Sequence, residues 1–198
     1  GVGCHTAQNQ GQNSRDKRNK KGVDHRAAGF EIGQYVAGLG YRNPVFVGIS
    51  KGQDQRADSR LAGVRDAFTQ VDPDIQVPAK RPEALKSYHA GFDSTMKLLE
   101  AQRPDVIFYL NDHMAFGGMM AAQRYGLSVP DDIGIVGFNS LDITNVLPVA
   151  LTTVSTPRRV MGIIGARALL ARIHGVTQPP PTALPIEIIP GETTRQQL

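Results

Sequence analysis

The sequence contains a single cysteine, Cys4, among its 198 residues, so the chain can form no internal disulfide bond and no cysteine-rich metal site. This cysteine usage fits a reducing compartment. No apolar run approaches the length of about eighteen residues that a membrane-spanning helix needs, and residues 1–22 are polar. We therefore expect a cytoplasmic protein with no membrane association and no secretory signal peptide.

Motifs of the common enzyme classes are also missing. The sequence contains no Gly-rich phosphate loop, no H-E-x-x-H and no G-x-S-x-G. The five histidines are scattered along the chain, and Asp112 and His113, which are adjacent, would point to different faces of a helix. We expect no metal, no cofactor and no catalytic residue, which leaves binding rather than turnover as the interpretation.

Excess positive charge is confined to one short stretch. The formal net charge is +4, and the basic residues between Arg15 and Lys21, set against Asp16, account for all of it. A basic run can neutralise nucleic-acid phosphates, but this one lies in a Gln/Asn/Gly-rich, helix-poor segment. We interpret residues 1–22 as a solvated polar arm or loop, with an electrostatic contact as the alternative.

The sequence does contain an alternation of helix and strand patterns, which predicts an α/β fold with a doubly wound parallel sheet. Residues 106–110 form an apolar run too short for a helix, so they predict a buried strand. Asp112 stands where a helix N-cap is expected, and Gly126 is placed to end that helix. Residues 133–137 predict a second strand, which completes a right-handed βαβ crossover.

Other segments follow the same logic. Upstream, the patterns predict helices at about 27–39, 56–70 and 88–101 and strands at 44–49 and 75–77. Downstream they predict a loop at 141–148, an extended run at 151–154, a helix at about 157–174 and a last strand at 184–189 after the prolines 179–181.

Amide side chains follow both strands of the predicted crossover, Asn111 after one and Asn139 after the other. The carboxyl ends of strands in a doubly wound sheet open onto the crevice where ligands bind. Two amides at matched strand ends therefore indicate a binding site. The alternative is that both residues only cap a helix or occupy a turn, where Asn is favoured.

Six segments carry a family resemblance through their order and spacing. They are GVDHRAAGF at 22–30, GLGYRNPVFVG at 38–48, SRLAGVRDAF at 59–68, NDHMAFGGMMAAQRYGLSVPDDIGIVGFN at 111–139, LTTVSTP at 151–157 and IIPGETT at 188–194. With them, residues 22–194 resemble the effector-binding region of the lactose-repressor (LacI/GalR) family of bacterial transcription regulators.

The resemblance implies a periplasmic-binding-protein-like fold in which two lobes close on a small molecule. One lobe would be largely complete, at residues 23–150, and the other only partial. The partial lobe would contain the return segment at 151–182, and the arm at 1–22 would be a remnant of the same lobe. Residues 183–198 would form the final strand and tail.

The resemblance also implies the site residues. The arginine of the R-L-A-G motif, Arg60, would contact the effector, and so would Asn111 and Asn139; for Arg60 the alternative is an ion pair with an acid such as Asp54. Further candidates are Asp112, Phe138 and Tyr88, with Lys86 near the last. Because the matched positions hold no acid, we expect an anionic effector such as a sugar acid or sugar phosphate. A neutral sugar with Asp112 as acceptor is the competing interpretation.

For partners, the resemblance implies a symmetric homodimer that uses Phe116 and Met120, and operator DNA bound only through a headpiece that this chain does not contain. These features predict the effector-sensing domain of a regulator that controls DNA binding by lobe closure. A soluble sugar-binding protein of a transport system, which shares the fold, is the alternative, and an enzyme of the same fold class is a distant third.

Overall fold

The computed structural model describes residues 22–49, 52–81, 88–176 and 183–196. The basic segment at 15–21, Cys4, Lys86 and the prolines 179–181 lie outside the described residues. The chain divides into two units: the larger contains the described residues between 25 and 156 and those from 186 to 196, and the smaller contains 22–24, 157–176 and 183–185.

The larger unit alternates helices and strands, as the sequence predicts. In chain order its elements are α1 (His25–Gly38), β1 (Pro44–Val47), α2 (Gln55–Val71), β2 (Ala79–Lys80), α3 (Tyr88–Ala101), β3 (Val106–Tyr109), α4 (Asp112–Tyr125), β4 (Gly134–Val136), a 3₁₀ helix (Asp142–Asn145), β5 (Thr153–Ser155) and β6 (Glu187–Ile189). This order and the parallel sheet confirm the predicted α/β class.

Four strands form a parallel sheet in the order β2-β1-β3-β4. Phe46 of β1 pairs with Phe108 of β3, and Ile107 of β3 pairs with Ile135 of β4. The segment around β5 continues the sheet edge through isolated parallel bridges, while β5 and β6 pair antiparallel. Because the four strands are parallel, their carboxyl ends meet at one edge of the sheet.

Helices cover both faces of this sheet. Ile107 and Tyr109 of β3 share a buried cluster with Leu98 of α3 and Met114 of α4. Side chains alternate along a strand, so Phe108 points the other way, where its ring lies edge-on to Phe68 of α2 at a centroid distance of 6.0 Å. The helices α3 and α4 thus pack on one face and α2 on the other, which is the doubly wound arrangement.

The helices of each pair approach closely at glycines. A Cβ at Gly63 of α2 would collide with the carbonyl oxygen of Arg26 in α1, and a Cβ at Gly29 of α1 would collide with the backbone of Arg60. The second pair repeats this arrangement, since Gly117 of α4 lies against the backbone of Tyr88 in α3. Only glycine permits such backbone contact, and it fixes α1 firmly beside α2.

Two local predictions were wrong. The N-cap of α4 is Asn111 rather than Asp112, because the Asn111 side chain accepts a hydrogen bond from the Met114 amide at 3.0 Å. Residues 75–77 form no strand. The Ile75 amide donates to the Asp72 carbonyl in a turn, and the Val77 carbonyl accepts from Nε of Arg65. The strand that pairs with β1 is β2, which begins two residues after Val77.

The smaller unit consists mainly of helix α5 (Arg158–Ile173), none of whose residues is buried. Its described part also includes a parallel bridge between Val23 and Leu184. Residues 151–156, at the start of the predicted return segment, belong to the larger unit, where the carbonyls of Thr152 and Val154 accept hydrogen bonds from the amides of Gly137 and Asn139. Among the described residues, no helix is long and apolar enough to cross a membrane.

Candidate functional site

A cleft with a volume of about 190 Å³ opens at the carboxyl edge of the sheet. Its lining comes from the start of α1, the start of α2, the end of β3 and the turn after β4: His25, Asp54, Arg56, Arg60, Leu110, Asn111 and Asn139. The structure therefore brings together three residues that the sequence singled out, Arg60, Asn111 and Asn139. All of the lining residues belong to the larger unit.

Arg60 is the most buried cation described in the structure, with 6% of its surface exposed. Its Nη2 donates to the Leu110 carbonyl at 3.1 Å, and its Nη1 lies 3.2 Å from Nδ1 of His25. The guanidinium carbon lies 4.1 Å from the centroid of the Phe138 ring. The buried Nε has no hydrogen-bond partner, and Arg60 forms no ion pair with a described residue, so the alternative of an ion pair with Asp54 is wrong.

Burial lowers the pKa of Arg60 to about 10; the neighbouring Arg56 acts in the same direction, and Asp54 opposes both. The side chain therefore still carries its charge at neutral pH. A buried cation with no paired anion is costly, because the charge has lost its water without a compensating ion. A bound anion in the cleft would offset that cost.

Among the residues that the structure describes, Asp54 is the one carboxylate that lines the cleft. It is the N-cap of α2: its Oδ1 accepts from the amides of Arg56 at 3.0 Å and Ala57 at 3.2 Å. The same oxygen lies 3.4 Å from Nε of Arg56, whose side chain is 68% exposed. The Asp54 charge is thus committed to the start of α2, and the cleft keeps an excess of positive charge.

Both amides combine a local role with a place in the cleft. Asn111 caps α4 through its oxygen, and its amide nitrogen has no hydrogen-bond partner in the part of the chain that the structure describes. Asn139 has a φ of 103°, a left-handed conformation that Asn tolerates better than most residues, and its backbone amide bonds to Val154. The cap and the binding interpretations are therefore compatible.

The other predicted site residues lie elsewhere. Asp112 is fully buried and does not line the cleft; its carboxylate accepts from the Leu141 amide at 2.7 Å and from the Thr153 hydroxyl at 2.6 Å. Tyr88 does not line it either, since its ring packs against His113 and Phe116. Phe138 is buried and does not line the cleft, but its ring lies against two residues that do, Arg60 and His25.

Sequence reasoning missed two polar residues of the lining, His25 and Arg56, and the apolar Leu110. Arg56 precedes Arg60 by four residues on α2, so helical periodicity alone places the two on one face. His25 opens α1, and only the close packing of α1 on α2 brings it to the cleft. The histidine in the GVDHR segment was the available signal.

Comparison with known proteins decides the family. Residues 34–194 match the family model described as a periplasmic binding protein-like domain. The chain belongs to this family. The resemblance drawn from the sequence motifs is confirmed.

Among curated proteins, the periplasmic binding protein-like chain is 33% identical over 160 residues to the HTH-type transcriptional regulator GntR of Escherichia coli K12, covering 80% of this chain and 47% of that protein. It is 29% identical over 160 residues to the HTH-type transcriptional repressor CytR of the same organism, covering 77% and 45%. The chain thus spans about half the length of the curated relatives it matches. These relatives favour a regulator over a transport protein.

Solved structures agree with this assignment. A LacI-family transcriptional regulator from Silicibacter pomeroyi superposes with a TM-score of 0.78 at 26% identity, covering 88% of this chain and 53% of that one. The transcription regulator GntR from Chromobacterium violaceum gives a TM-score of 0.80 at 25% identity, covering 98% and 77%. The periplasmic-binding-protein-like fold follows from both.

Proposed function

We propose that this chain is the effector-sensing part of a cytoplasmic bacterial transcriptional regulator, in which a small molecule bound at the cleft controls DNA binding by a headpiece outside these residues. The observation that carries the proposal is the position of Arg60, a buried and charged side chain at the carboxyl edge of the sheet. The relatives supply the regulatory context, because they are named as HTH-type regulators.

The mechanism is one of linkage. An effector changes the DNA affinity only if it binds one conformation of the protein more tightly than another. In the proposed regulator the closed form of the two lobes surrounds the effector more fully than the open form does. The difference in contact free energy between the two forms then sets how far the population can shift.

The charges of the cleft favour an anionic effector, a sugar acid or sugar phosphate. The described lining contains two arginines and one carboxylate, Asp54, which already accepts hydrogen bonds from backbone amides at the α2 N-terminus. The side-chain amides of Asn111 and Asn139, which can both donate and accept, suit the hydroxyl groups of a sugar. Asp112, the acceptor required by a neutral-sugar interpretation, is engaged with Leu141 and Thr153 instead.

A thermal-shift screen of matched ligands tests this ligand class. We expect D-gluconate or D-glucose 6-phosphate to raise the melting temperature more than D-glucose, and the acid and phosphate of ribose to do so more than ribose, because binding to the native state stabilises it by mass action. Sodium chloride at equal ionic strength is the control for screening. Stabilisation by the neutral sugars alone would remove the anionic proposal.

We further propose that α4 forms the surface of a symmetric homodimer. Phe116 and Met120 lie four residues apart on one helix face and are half-buried, and Phe116 packs on the exposed ring of Tyr88. An apolar face of this kind is suited to an isologous interface.

Phe116→Asp is expected to halve the mass measured by sedimentation, because a buried carboxylate without a partner opposes association. Val71→Asp is the matched control, since Val71 ends a different helix and is 48% exposed. An unchanged mass for a folded Phe116→Asp or Met120→Arg variant would place the interface elsewhere. Loss of folding would instead identify these residues as core.

A further inference from the structure

His25 lies in direct contact with the guanidinium group of Arg60. It is the first residue of α1, and its Nδ1 lies 3.2 Å from Nη1 of Arg60. Its ring centroid is 6.1 Å from that of Phe138, the aromatic ring over which the Arg60 guanidinium lies. His25 also lines the cleft itself. Arg60 is therefore held between an imidazole, an aromatic face and the Leu110 carbonyl.

The chemistry of this contact determines the state of the imidazole. A guanidinium group has five N–H donors and no acceptor, so in any hydrogen bond with it the partner atom must accept. Nδ1 of His25 can accept only if it carries no proton, which places the proton of a neutral imidazole on Nε2. A protonated His25 would direct an N–H group at a cation.

The backbone is arranged to keep His25 at this distance. Gly29 follows His25 by one helical turn on the same face of α1, and its missing Cβ is what lets α1 rest on the backbone of Arg60 itself. One turn further along α2, Gly63 makes the reciprocal contact with the carbonyl of Arg26. Neither helix can move away from the other without breaking this contact, so the His25 to Arg60 geometry is set by the core packing.

We infer that His25 is a positioning residue for effector binding: its neutral, Nε2-protonated imidazole accepts a hydrogen bond from Arg60 and fixes the orientation in which the guanidinium meets the anionic group. The inference rests on the proposed function, because the oriented group is the proposed anion contact. The two terminal nitrogens of Arg60 carry four N–H donors, of which His25 and Leu110 occupy two, so the other two are left for a ligand, while the Nε–H is buried.

Three substitutions of His25 separate the role of Nδ1 from the volume of the ring. In His25→Asn the side-chain oxygen can reach the position of Nδ1, whereas in His25→Gln it reaches that of Nε2, and His25→Leu has no acceptor. For the sugar acid or phosphate that stabilises the parent most, calorimetry should give affinities reduced about tenfold for the Leu and Gln variants. The Asn variant should stay within about threefold of the parent.

A second background distinguishes positioning from direct contact with the ligand. In an Arg60→Lys chain the forked donor group is gone while the charge remains. If His25 acts through Arg60, adding His25→Leu there should cost little further affinity, whereas a direct contact would give the same loss in both backgrounds. Equal losses in the two backgrounds, or an Asn variant as weak as the Leu variant, would overturn the inference.

The tautomer of the His25 imidazole can be measured by NMR without any ligand. With ¹⁵N-labelled histidine, the His25 resonances, assigned by their absence in His25→Asn, should show an unprotonated Nδ1 and a protonated Nε2 at neutral pH. A protonated Nδ1 would contradict the inference whatever the effector is. If instead no ligand of the screen stabilises the parent, the proposed function fails, and the tautomer still decides the His25 to Arg60 contact by itself.

Discussion

Arg60→Ala is expected to weaken binding of the anionic effector by about 2 kcal/mol or more, which corresponds to about thirtyfold in affinity. The loss is large because a charge-assisted hydrogen bond in a largely desolvated cleft is removed, and Arg56, which is exposed, is then the one arginine left in the described lining. Isothermal titration of the acid and phosphate ligands measures it.

The stability of the same variant should change far less than its affinity. Arg60 donates to Leu110 and contacts Phe138, and those contributions are lost. The cost of keeping a buried cation without a paired anion is removed at the same time, and the lowered pKa of Arg60 reflects that cost. A residue whose favourable contacts are offset by the cost of burying its charge contributes little to the stability of the ligand-free fold, although it contributes to ligand binding.

Arg65→Ala is the matched control. Arg65 lies further along α2, is exposed, and donates through Nε to the Val77 carbonyl, yet it does not line the cleft. Its removal should leave effector affinity within about twofold of the parent. A folded Arg60→Ala chain that binds like the Arg65→Ala control would exclude Arg60 from the site.

Much of the fold follows from local sequence patterns. The helix predicted at 88–101 has those bounds in the structure, because its apolar residues recur at helical spacing and its ends meet turn residues. The apolar run at 106–110 became β3, one residue shorter. Patterns of this kind report which side of an element is buried, and that is enough to fix its type.

The site was predictable only where one residue carries a signal of its own. Asn111 and Asn139 follow apolar strands, and strand direction alone brings them to one edge of the sheet. His25 reaches the cleft because Gly29 and Gly63 let two helices touch, a contact between residues that are distant in sequence. Which of the adjacent Asn111 and Asp112 caps the helix likewise depends on a residue distant in sequence, because the Thr153 hydroxyl donates a hydrogen bond to the Asp112 carboxylate.

Asp112→Ala is expected to lower the free energy of unfolding by about 3 kcal/mol, because a buried network loses its common acceptor. The Leu141 amide and the Thr153 hydroxyl both donate to this carboxylate, and it joins the start of α4 to the segment that carries β5. Asp112→Asn keeps an acceptor for Leu141 and can donate to Thr153, so its loss should stay below about 1 kcal/mol. Denaturant titration of both variants measures the difference.

The pH dependence of that comparison has a definite sign. Burial raises the pKa of Asp112 above its ordinary value, although the hydrogen bonds from Thr153 and Leu141 act against it. The native state then binds the proton more tightly than the unfolded chain does, so the contribution of Asp112 to stability is largest below the unfolded pKa of about 3.9. It falls as the pH rises through the raised pKa and is constant above it. Because an asparagine side chain cannot titrate, the Asp112→Asn variant should gain stability relative to the parent as the pH rises from the unfolded pKa through the raised pKa of Asp112. If the parent gained instead, the hydrogen bonds to the carboxylate would outweigh its loss of water, and Asp112 would be ionised in the native state at lower pH than in the unfolded chain.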